Sequence, residues 1–581
     1  MTPPPNESGQ IAASVLAAAE AKNASTAEAE TLVRRAPMGF LWNQLYQLWL
    51  FGSGFVLTQI VARGVSTKDY GVYSVALTAF NTASYLAAFG LEEAAIVWVP
   101  RALTEDGRQQ ASSVIRRLLF ARILCVLIVC AAFLFLLPLL PGWAQQLGLP
   151  FADRIAQTLG DPALLDHLVP LTFYIAGTGV LTLVVAIFTS LLRTRVTLTV
   201  SGLSQAGNLG LALLFLWLGW GVDGVLWALG AVAWATALVY LVWLSPLLWV
   251  RRPGAPISLR AAWRLSVAAW LTNLANGALL KQVIISLLTF YAFNYTQIGF
   301  FNLAFQLGHS AGLLLVAGLT GVGMATMAAA YSGENRLWLA VSWRAVLKVQ
   351  TLLALPLLVF SLLNAEAIVT LLFGRDYAPV GPLLQVFLGF TIVTRVAGGG
   401  AHQAALFVLG RQQIVVYLQW AALVLTAILG FVLIPPLGPV GALIAAGLPP
   451  VLVEFAQLAV LWRLLPWRYP LRFILRCAMV MSVPVAVSLL LRVPAVDSSL
   501  ERVPVIGNVL AHPTGLLGLI VAGLVFTALL VGSLLVVRPL QVDDVVLIEK
   551  MNSGLRRILL LLTRKSVRAA SAQAVADASA E

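Results

Sequence analysis

Three charged side chains lie within long apolar runs of the 581-residue chain, where an isolated charge is costly. Lys281 stands in the segment NLANGALLKQVIIS, Arg395 in FLGFTIVTRVAGGGAHQ, and Glu454 in the apolar run 438–464. A charge at membrane depth normally faces a water-filled cavity, an ion path or a partner. We expect Lys281 and Arg395 to bind an anionic group in a cavity, and Glu454 to carry a proton or a sodium ion.

Each of these residues also has a purely structural interpretation. Arg395 precedes the glycine run 398–400, which weakens a helix, so its guanidinium could bond the backbone carbonyls freed there. The flexible stem of Lys281 could carry its ammonium group to the nearer membrane surface. Glu454 could pack against a nearby arginine.

Several polar residues in the apolar runs are candidates for the wall of the same cavity. Amides bond sugar hydroxyls well, but they equally hold transmembrane helices together. A histidine can titrate near neutral pH, although a lone histidine is more often a packing contact. The candidates are Asn43, Gln47, Asn81, Asn273 and His309.

The elements that carry these residues are long apolar stretches, and the composition is 60% hydrophobic and only 10% charged. About 20 apolar residues cross the hydrocarbon core as a helix. We therefore predict an all-α polytopic membrane protein with fourteen transmembrane helices. The predicted helices span 40–62, 71–97, 115–140, 166–192, 197–219, 223–249, 264–290, 297–328, 345–364, 380–409, 413–434, 438–464, 472–492 and 515–537.

Most cationic residues fall in the loops on one side of this arrangement. The positive-inside rule places that side, with both termini, in the cytoplasm. Arginines facing anionic lipid account for the formal net charge of +13, so nucleic acid is not expected as a partner. Glu92 and Glu93 end the second predicted helix close to this side, and we expect a salt bridge to Arg101. We expect a multi-pass protein of the cell membrane, in contact with membrane lipids.

Two short motifs recur six predicted helices apart. The segment GVYSVAL at 71–77 matches GFFNLAF at 299–305, and GVDGVLWA at 221–228 matches GPVGALIA at 438–445. Parallel repeats of this kind are related by an axis along the membrane normal, with the substrate between them. We predict two pseudo-symmetric six-helix bundles plus two C-terminal helices. The predicted divisions are a disordered cytoplasmic tail (1–37), the N-terminal bundle (38–249), the C-terminal bundle (250–464), helices 13 and 14 (465–540), and a cytoplasmic amphipathic helix and tail (541–581).

Enzymatic motifs are missing from the sequence. It contains no P-loop, HExxH, CxxC or GxSxG pattern, and its three cysteines all fall in apolar runs. We expect no catalytic residue, cofactor or metal ligand.

Three segments resemble a known family. LFGRDYAPVGPLL at 372–384 is similar to the LFGxxYxxAxxxL signature of polysaccharide flippases, and VARGVSTKDYG at 61–71 resembles their ARxLGxxxYG link. LGR at 409–411, with IPPLGPVGA at 434–442, is similar to a third pattern. The resemblance runs from about residue 38 to residue 560. It identifies an O-antigen (Wzx-like) flippase of the multidrug/oligosaccharidyl-lipid/polysaccharide (MOP) superfamily.

This resemblance implies a flippase that moves undecaprenyl-diphosphate-linked glycan units to the outer leaflet by alternating access. The partners would be the lipid-linked oligosaccharide, a coupling proton or sodium ion, and glycan polymerase proteins beside a functional monomer. Family members often carry an acidic residue near position 281, so Lys281 is a departure that adds cationic character. Other interpretations are a multidrug exporter of the same superfamily, a lipid II-type flippase, a membrane glycan polymerase or ligase, and a scaffold for glycan assembly.

Overall fold

The structure, a computed structural model, describes most residues from 49 to 539. It leaves out 1–48, 491–514 and 540–581, much of 148–161, 249–278 and 315–335, residues 466–468, and a few single positions. The predicted tails at 1–37 and 541–581 therefore lie outside the described residues.

All regular secondary structure in the described part is helical. The first helix, α1, covers residues 53–64. The N-terminal half continues with α2 (Thr67–Ala88), α3 (Leu91–Glu105), α4 (Gly107–Ala131), α5 (Leu168–Ser190), α6 (Thr194–Trp217) and α7 (Gly221–Leu248). The C-terminal half contains α8 (Leu280–Phe290), α9 (Tyr295–Leu313), α10 (Arg336–Leu363), α11 (Ala365–Phe373), α12 (Val380–Ala397), α13 (Ala401–Val408) and α14 (Gln412–Leu464). The chain then forms α15 (Leu471–Leu490) and α16 (Gly515–Val537).

Nine of the described helices are long and apolar enough to cross a membrane, or ten if the bent pair of α2 and α3 is one span. The protein is therefore an all-helical, multi-pass membrane protein. Each of the fourteen predicted stretches overlaps a described helix, but the number of crossings stays a prediction. Helix α14 has 53 residues and non-helical backbone at Gly438. The break at Gly438 divides it into two helical segments, 412–437 and 439–464, and each is about 39 Å long at 1.5 Å per residue, which is enough for one crossing.

Polar caps and glycines set the ends of the helices. The Ser66 hydroxyl accepts a bond from the Asp69 amide at 3.1 Å and caps α2, and Asn294 caps α9 through the Thr296 amide. Phe89 and Gly90, both with positive φ, separate α2 from α3, which are bent by 47° relative to each other.

The two copies of the second repeat share an unusual backbone conformation. Gly221 and Gly438 open the copies, and both have φ of 56°. Side chains other than hydrogen rarely tolerate this region, so the glycine is required at both positions. Three residues later, a Cβ at Gly224 would collide with Trp220 of the preceding turn, and a Cβ at Gly441 would collide with the Leu433 carbonyl across the break at Gly438.

The two copies of the first repeat contact each other. Gly71 of α2 packs so closely on α9 that a Cβ placed at Gly299 would lie 3.1 Å from the Gly71 Cα. One turn further, the Asn302 amide donates to the Ser74 hydroxyl at 2.8 Å. Contact between equivalent residues is what a two-fold axis produces. The division into two six-helix bundles stays a prediction.

The largest hydrophobic core lies around this contact. It combines fully buried side chains of α2 and α9 with those of α5, α8, α12 and α14, among them Tyr70, Ile175, Ile285, Phe301 and Leu388. Helix α16 is apolar on all sides, and Phe526 is the only one of its large side chains that is buried among the described residues, as expected of a helix in contact with lipid.

Candidate functional site

Three of the residues predicted from sequence come together on α8, α9 and α12. The Lys281 Nζ lies 6.0 Å from the centre of the Phe305 ring. Phe305 in turn stacks on His309, with ring centres 6.0 Å apart and an interplanar angle of 10°. Lys281 and His309 thus both lie next to the Phe305 ring.

Arg395 reaches the same region from α12. A Cβ placed at Gly312, one turn beyond His309, would lie 3.8 Å from the Arg395 Nε. His309 interacts electrostatically with both Arg395 and Lys281. We call Lys281, Arg395 and the histidine beside them, His309, the cationic cluster, whose charge comes from the lysine and the arginine.

The cationic cluster is accessible. Lys281 and Arg395 are half-buried, and His309 is exposed. Within the described part of the chain, none of the three residues has a carboxylate within ion-pair distance. In these residues, therefore, no ion pair neutralises the lysine or the arginine.

Arg395 also bonds the backbone at the break between α12 and α13. Its Nη1 donates to the Gly399 carbonyl at 3.1 Å. The freed groups around it are bonded as well: the Tyr469 hydroxyl donates to the Val396 carbonyl, and the Gly400 amide donates to Glu454 Oε1 at 3.1 Å. Arg395 thus has the structural role that the sequence offered as an alternative, a bond to a carbonyl at the glycine break. Its Nε and Nη2 atoms form no hydrogen bond to the described residues.

His402 is a structural residue that sequence reasoning missed. Its ring is fully buried, and Nδ1 accepts a bond from Trp343 Nε1 at 3.1 Å. Nε2 must then carry the proton, which it donates to the Ala397 carbonyl at 2.9 Å. His402 is therefore a neutral ring that fixes the broken backbone. Its position just after the three glycines is the sequence feature that could have indicated this structural role.

Glu454 lies against the same break. Its Oε1 bonds the Gly400 amide, whereas its Oε2 is buried without a hydrogen-bond partner. A Cβ at Gly398 would collide with Oε2 and with His402, so the glycine makes room for the carboxylate. Glu454 and Arg395 interact electrostatically but form no ion pair within 4 Å in the described residues. The buried amides of Gln350 and Gln457 also have oxygen atoms without partners.

Two embedded cations escaped the sequence analysis, which left only Lys281 and Arg395 inside the membrane. Lys348 of α10 is buried, with its Nζ 5.8 Å from the Phe473 ring. Arg122 of α4 is 1% exposed. Both residues lie near the ends of predicted helices, so the sequence indicated that they face the membrane surface.

Arg122 has a complete set of partners. Its nitrogens donate to the Gly179 carbonyl at 2.7 Å, to the Ala87 carbonyl at 2.6 Å, to Thr182 and to Glu92. Glu92 thus pairs with the buried Arg122. The side chain of Arg101 lies outside the described residues, so the salt bridge expected for it stays a prediction. Arg122 bonds the last turn of α2, next to the bend at Phe89 and Gly90.

Of the remaining residues predicted to line the cavity, the structure describes only one. Asn81 is half-buried on α2, whereas Asn43, Gln47 and Asn273 lie outside the described residues. Two other amide side chains on α9 form hydrogen bonds to neighbouring helices. Asn302 donates to Ser74 of α2, and Gln306 donates to the Thr58 hydroxyl of α1 at 2.7 Å. In the part of the chain that the structure covers, no group of three histidine, cysteine or acidic residues is placed to hold a metal ion.

A family described as "Polysaccharide biosynthesis protein" matches residues 38–331, half of the chain. No curated protein matches the sequence. Among solved structures, the lipid II flippase MurJ in an inward closed conformation is 13% identical, with a TM-score of 0.60, and the match covers 83% of this chain and 98% of MurJ.

Two drug transporters have the same arrangement of helices. An inward-facing multidrug resistance MATE transporter of the MOP superfamily is 16% identical, with a TM-score of 0.53 over 71% of this chain and 92% of its own. The MATE multidrug transporter DinF-BH is 16% identical, with a TM-score of 0.50 over 73% of this chain and 94% of its own. At these identities the likeness shows the fold. The chain belongs to the polysaccharide biosynthesis protein family and has the fold of MOP superfamily transporters.

Proposed function

We propose that this protein is a flippase for lipid-linked glycans, which moves an undecaprenyl-diphosphate-linked oligosaccharide from the inner to the outer leaflet of the cytoplasmic membrane. The single observation that carries the proposal is the accessible cationic cluster of Lys281, His309 and Arg395. A sugar diphosphate cannot cross hydrocarbon unaided, because buried charges and hydroxyls lose their hydration. The positive charges of Lys281 and Arg395, which no ion pair neutralises in the described residues, would replace that hydration for the diphosphate.

The positive charge of the cluster also favours some of the candidate cargoes over others. An exporter of organic cations would bring like charges together, which is unfavourable at short distance in a medium of low dielectric constant. A lipid II-type substrate carries the same diphosphate, so only its glycan distinguishes it from an O-antigen unit. Membership in the polysaccharide biosynthesis family supports the oligosaccharide. No motif in the sequence favours a polymerase or ligase.

The proposal includes the finer topology. It has fourteen crossings with both termini in the cytoplasm, two six-helix bundles that rock about the cavity, and a monomer working beside glycan polymerases. Asn43, Gln47, Asn81 and Asn273 would bond the sugar hydroxyls. Glu454, whose Oε2 is buried and has no partner, is the candidate for proton or sodium coupling.

The test is transport by purified protein in vesicles loaded with a fluorescent lipid-linked oligosaccharide. The double variant Arg395→Gln, Lys281→Leu should lose transfer to the opposite leaflet. Arg411→Gln removes a cation that is exposed at the start of α14, and it should transport like the parent. Normal transport by the double variant, at equal protein per vesicle, would exclude the cationic cluster as the diphosphate site.

A further inference from the structure

Arg63, at the end of α1, bonds the end of a helix in the other half of the chain. Its Nε donates to the Leu372 carbonyl at 2.8 Å and its Nη2 to the Leu371 carbonyl at 2.5 Å. Gln59 Nε2 donates to the Leu372 carbonyl as well, at 3.0 Å. The last carbonyls of a helix have no partner within it. Arg63 therefore acts as a C-terminal cap for α11, more than 300 residues away in sequence.

Tyr377 makes the reciprocal contact. Its hydroxyl donates to the Ala62 carbonyl at 2.9 Å, in the last turn of α1. The Tyr377 ring is 3% exposed and packs edge-on against Tyr70, with ring centres 5.9 Å apart. Each half thus satisfies the open helix end of the other. We call Gln59, Arg63 and Tyr377 the latch.

Next to the latch, helices α2 and α9 are in direct backbone contact. Gly71 lies against the backbone of Tyr295, so that no side chain would fit between α2 and α9 at this point. The Asn302 to Ser74 bond at 2.8 Å joins the same two helices one turn further in. His309 follows Tyr295 on α9 by fourteen residues, or about 21 Å at 1.5 Å per residue. The latch and the cationic cluster thus lie at different depths.

The bonds of the latch suit a contact that must open. Arg63 is exposed, so water can replace its carbonyl partners when the helices separate, and little net free energy is lost. Arg122 shows the opposite case, since it is 1% exposed and its charge would be left unpaired in the interior. The loops that carry Arg63 and Tyr377 both lie on the side that the sequence predicts to face outwards.

We propose that the latch is the outer gate of the transporter: it holds the two halves closed to the outside and must break for the cargo to leave. This inference rests on the proposed function for the identity of the cargo, but the gate itself can be tested without any cargo. Arg63 and Tyr377 are gating residues in this view, and they do not contact the diphosphate.

The test uses a cysteine at position 309 as a reporter behind the gate. In intact cells, a membrane-impermeant maleimide added outside should label His309→Cys slowly, and several-fold faster when Arg63→Ala is added. Lys68→Ala is the matched control, because it removes an exposed cation of the first turn of α2 that bonds no helix end in the described residues. The parent protein, with its natural cysteines, gives the background.

A second pair of variants keeps the test decisive. If Arg63→Ala does not reach the membrane, Tyr377→Phe removes only the bond to Ala62 and should also raise labelling. Conversely, oxidation of a Ser74→Cys, Asn302→Cys pair should lower labelling at position 309 and stop transport, and a reducing agent should restore both. Unchanged labelling in folded Arg63→Ala and Tyr377→Phe would overturn the gate.

Failure of the gate and failure of the proposed function give different results. If labelling responds as expected but the parent protein moves no lipid-linked oligosaccharide in vesicles, the gate stands and the cargo assignment is wrong. If the parent transports, Arg63→Ala with His309 intact transports equally well, and Arg63→Ala leaves the labelling of the His309→Cys reporter unchanged, the cargo assignment stands and the gate is wrong.

Discussion

Ser74 and Asn302 occupy the same position in two copies of one sequence repeat, and their side chains are hydrogen-bonded to each other at 2.8 Å. The neighbouring pair, Gly71 and Gly299, is also equivalent and also in contact. A residue meets its own counterpart only close to a symmetry axis. These helices, α2 and α9, therefore lie where the two halves meet, and the cationic cluster lies further along the same α9.

The first prediction concerns charge in the cationic cluster. Because a diphosphate is attracted by charge at short range, Arg395→Lys should keep partial transport, and Arg395→Gln should lose it by about tenfold or more. Lys281→Arg should be tolerated better than Lys281→Leu for the same reason. The measurement is transport per molecule of protein in the membrane. If the Arg395→Gln protein were scarce in the membrane but transported normally per molecule, the role of Arg395 would instead be structural, through its bond to the Gly399 carbonyl.

The second prediction concerns the glycine that accommodates Glu454. Gly398→Ala would drive a methyl group into the Glu454 carboxylate and the His402 ring, and it should destabilise the protein by about 1–3 kcal/mol. Gly389→Ala, which meets no atom within 4 Å, is the matched control on the same helix. Thermal unfolding in detergent measures both variants. Equal midpoints for the two variants would contradict the close packing at Gly398.

The third prediction concerns coupling. Glutamine at position 454 can still accept the bond from the Gly400 amide, but it cannot take up a proton or balance a cation by charge. We expect Glu454→Gln to fold and to transport with no dependence on a proton or sodium gradient. Transport is to be measured in vesicles with each gradient imposed separately. A gradient response equal to that of the parent would remove Glu454 from the coupling mechanism.

The fourth prediction concerns the buried pair beside the bend of α2 and α3. Arg122→Met should destabilise the protein by about 3–5 kcal/mol, because it leaves the Glu92 carboxylate without its partner. Adding Glu92→Gln should recover part of that loss, since the orphaned charge is gone. Unfolding midpoints of the parent, both single variants and the double variant give the coupling energy. Additive effects would show that the two residues act independently.

The sequence predicted the class of the protein and several local features correctly. Hydrophobicity over about 20 residues is a local property that directly sets which stretches enter a membrane, so the helices fall where the apolar runs lie. The glycines that open the second repeat were recognised from sequence, and both adopt φ of 56° because the chain itself needs that turn. Lys281 and Arg395 were found because a cation in an apolar run is conspicuous.

The tertiary structure decided which polar groups meet. Arg63 and the LFG segment were both recognised as parts of family motifs, but their contact joins residues 309 positions apart, and no local pattern encodes it. Arg122 looked like a residue near the cytoplasmic surface until packing buried it beside Glu92. Hydropathy fixes the depth of a side chain in the membrane. Its partner depends on how distant helices pack, and only the folded chain brings those helices together.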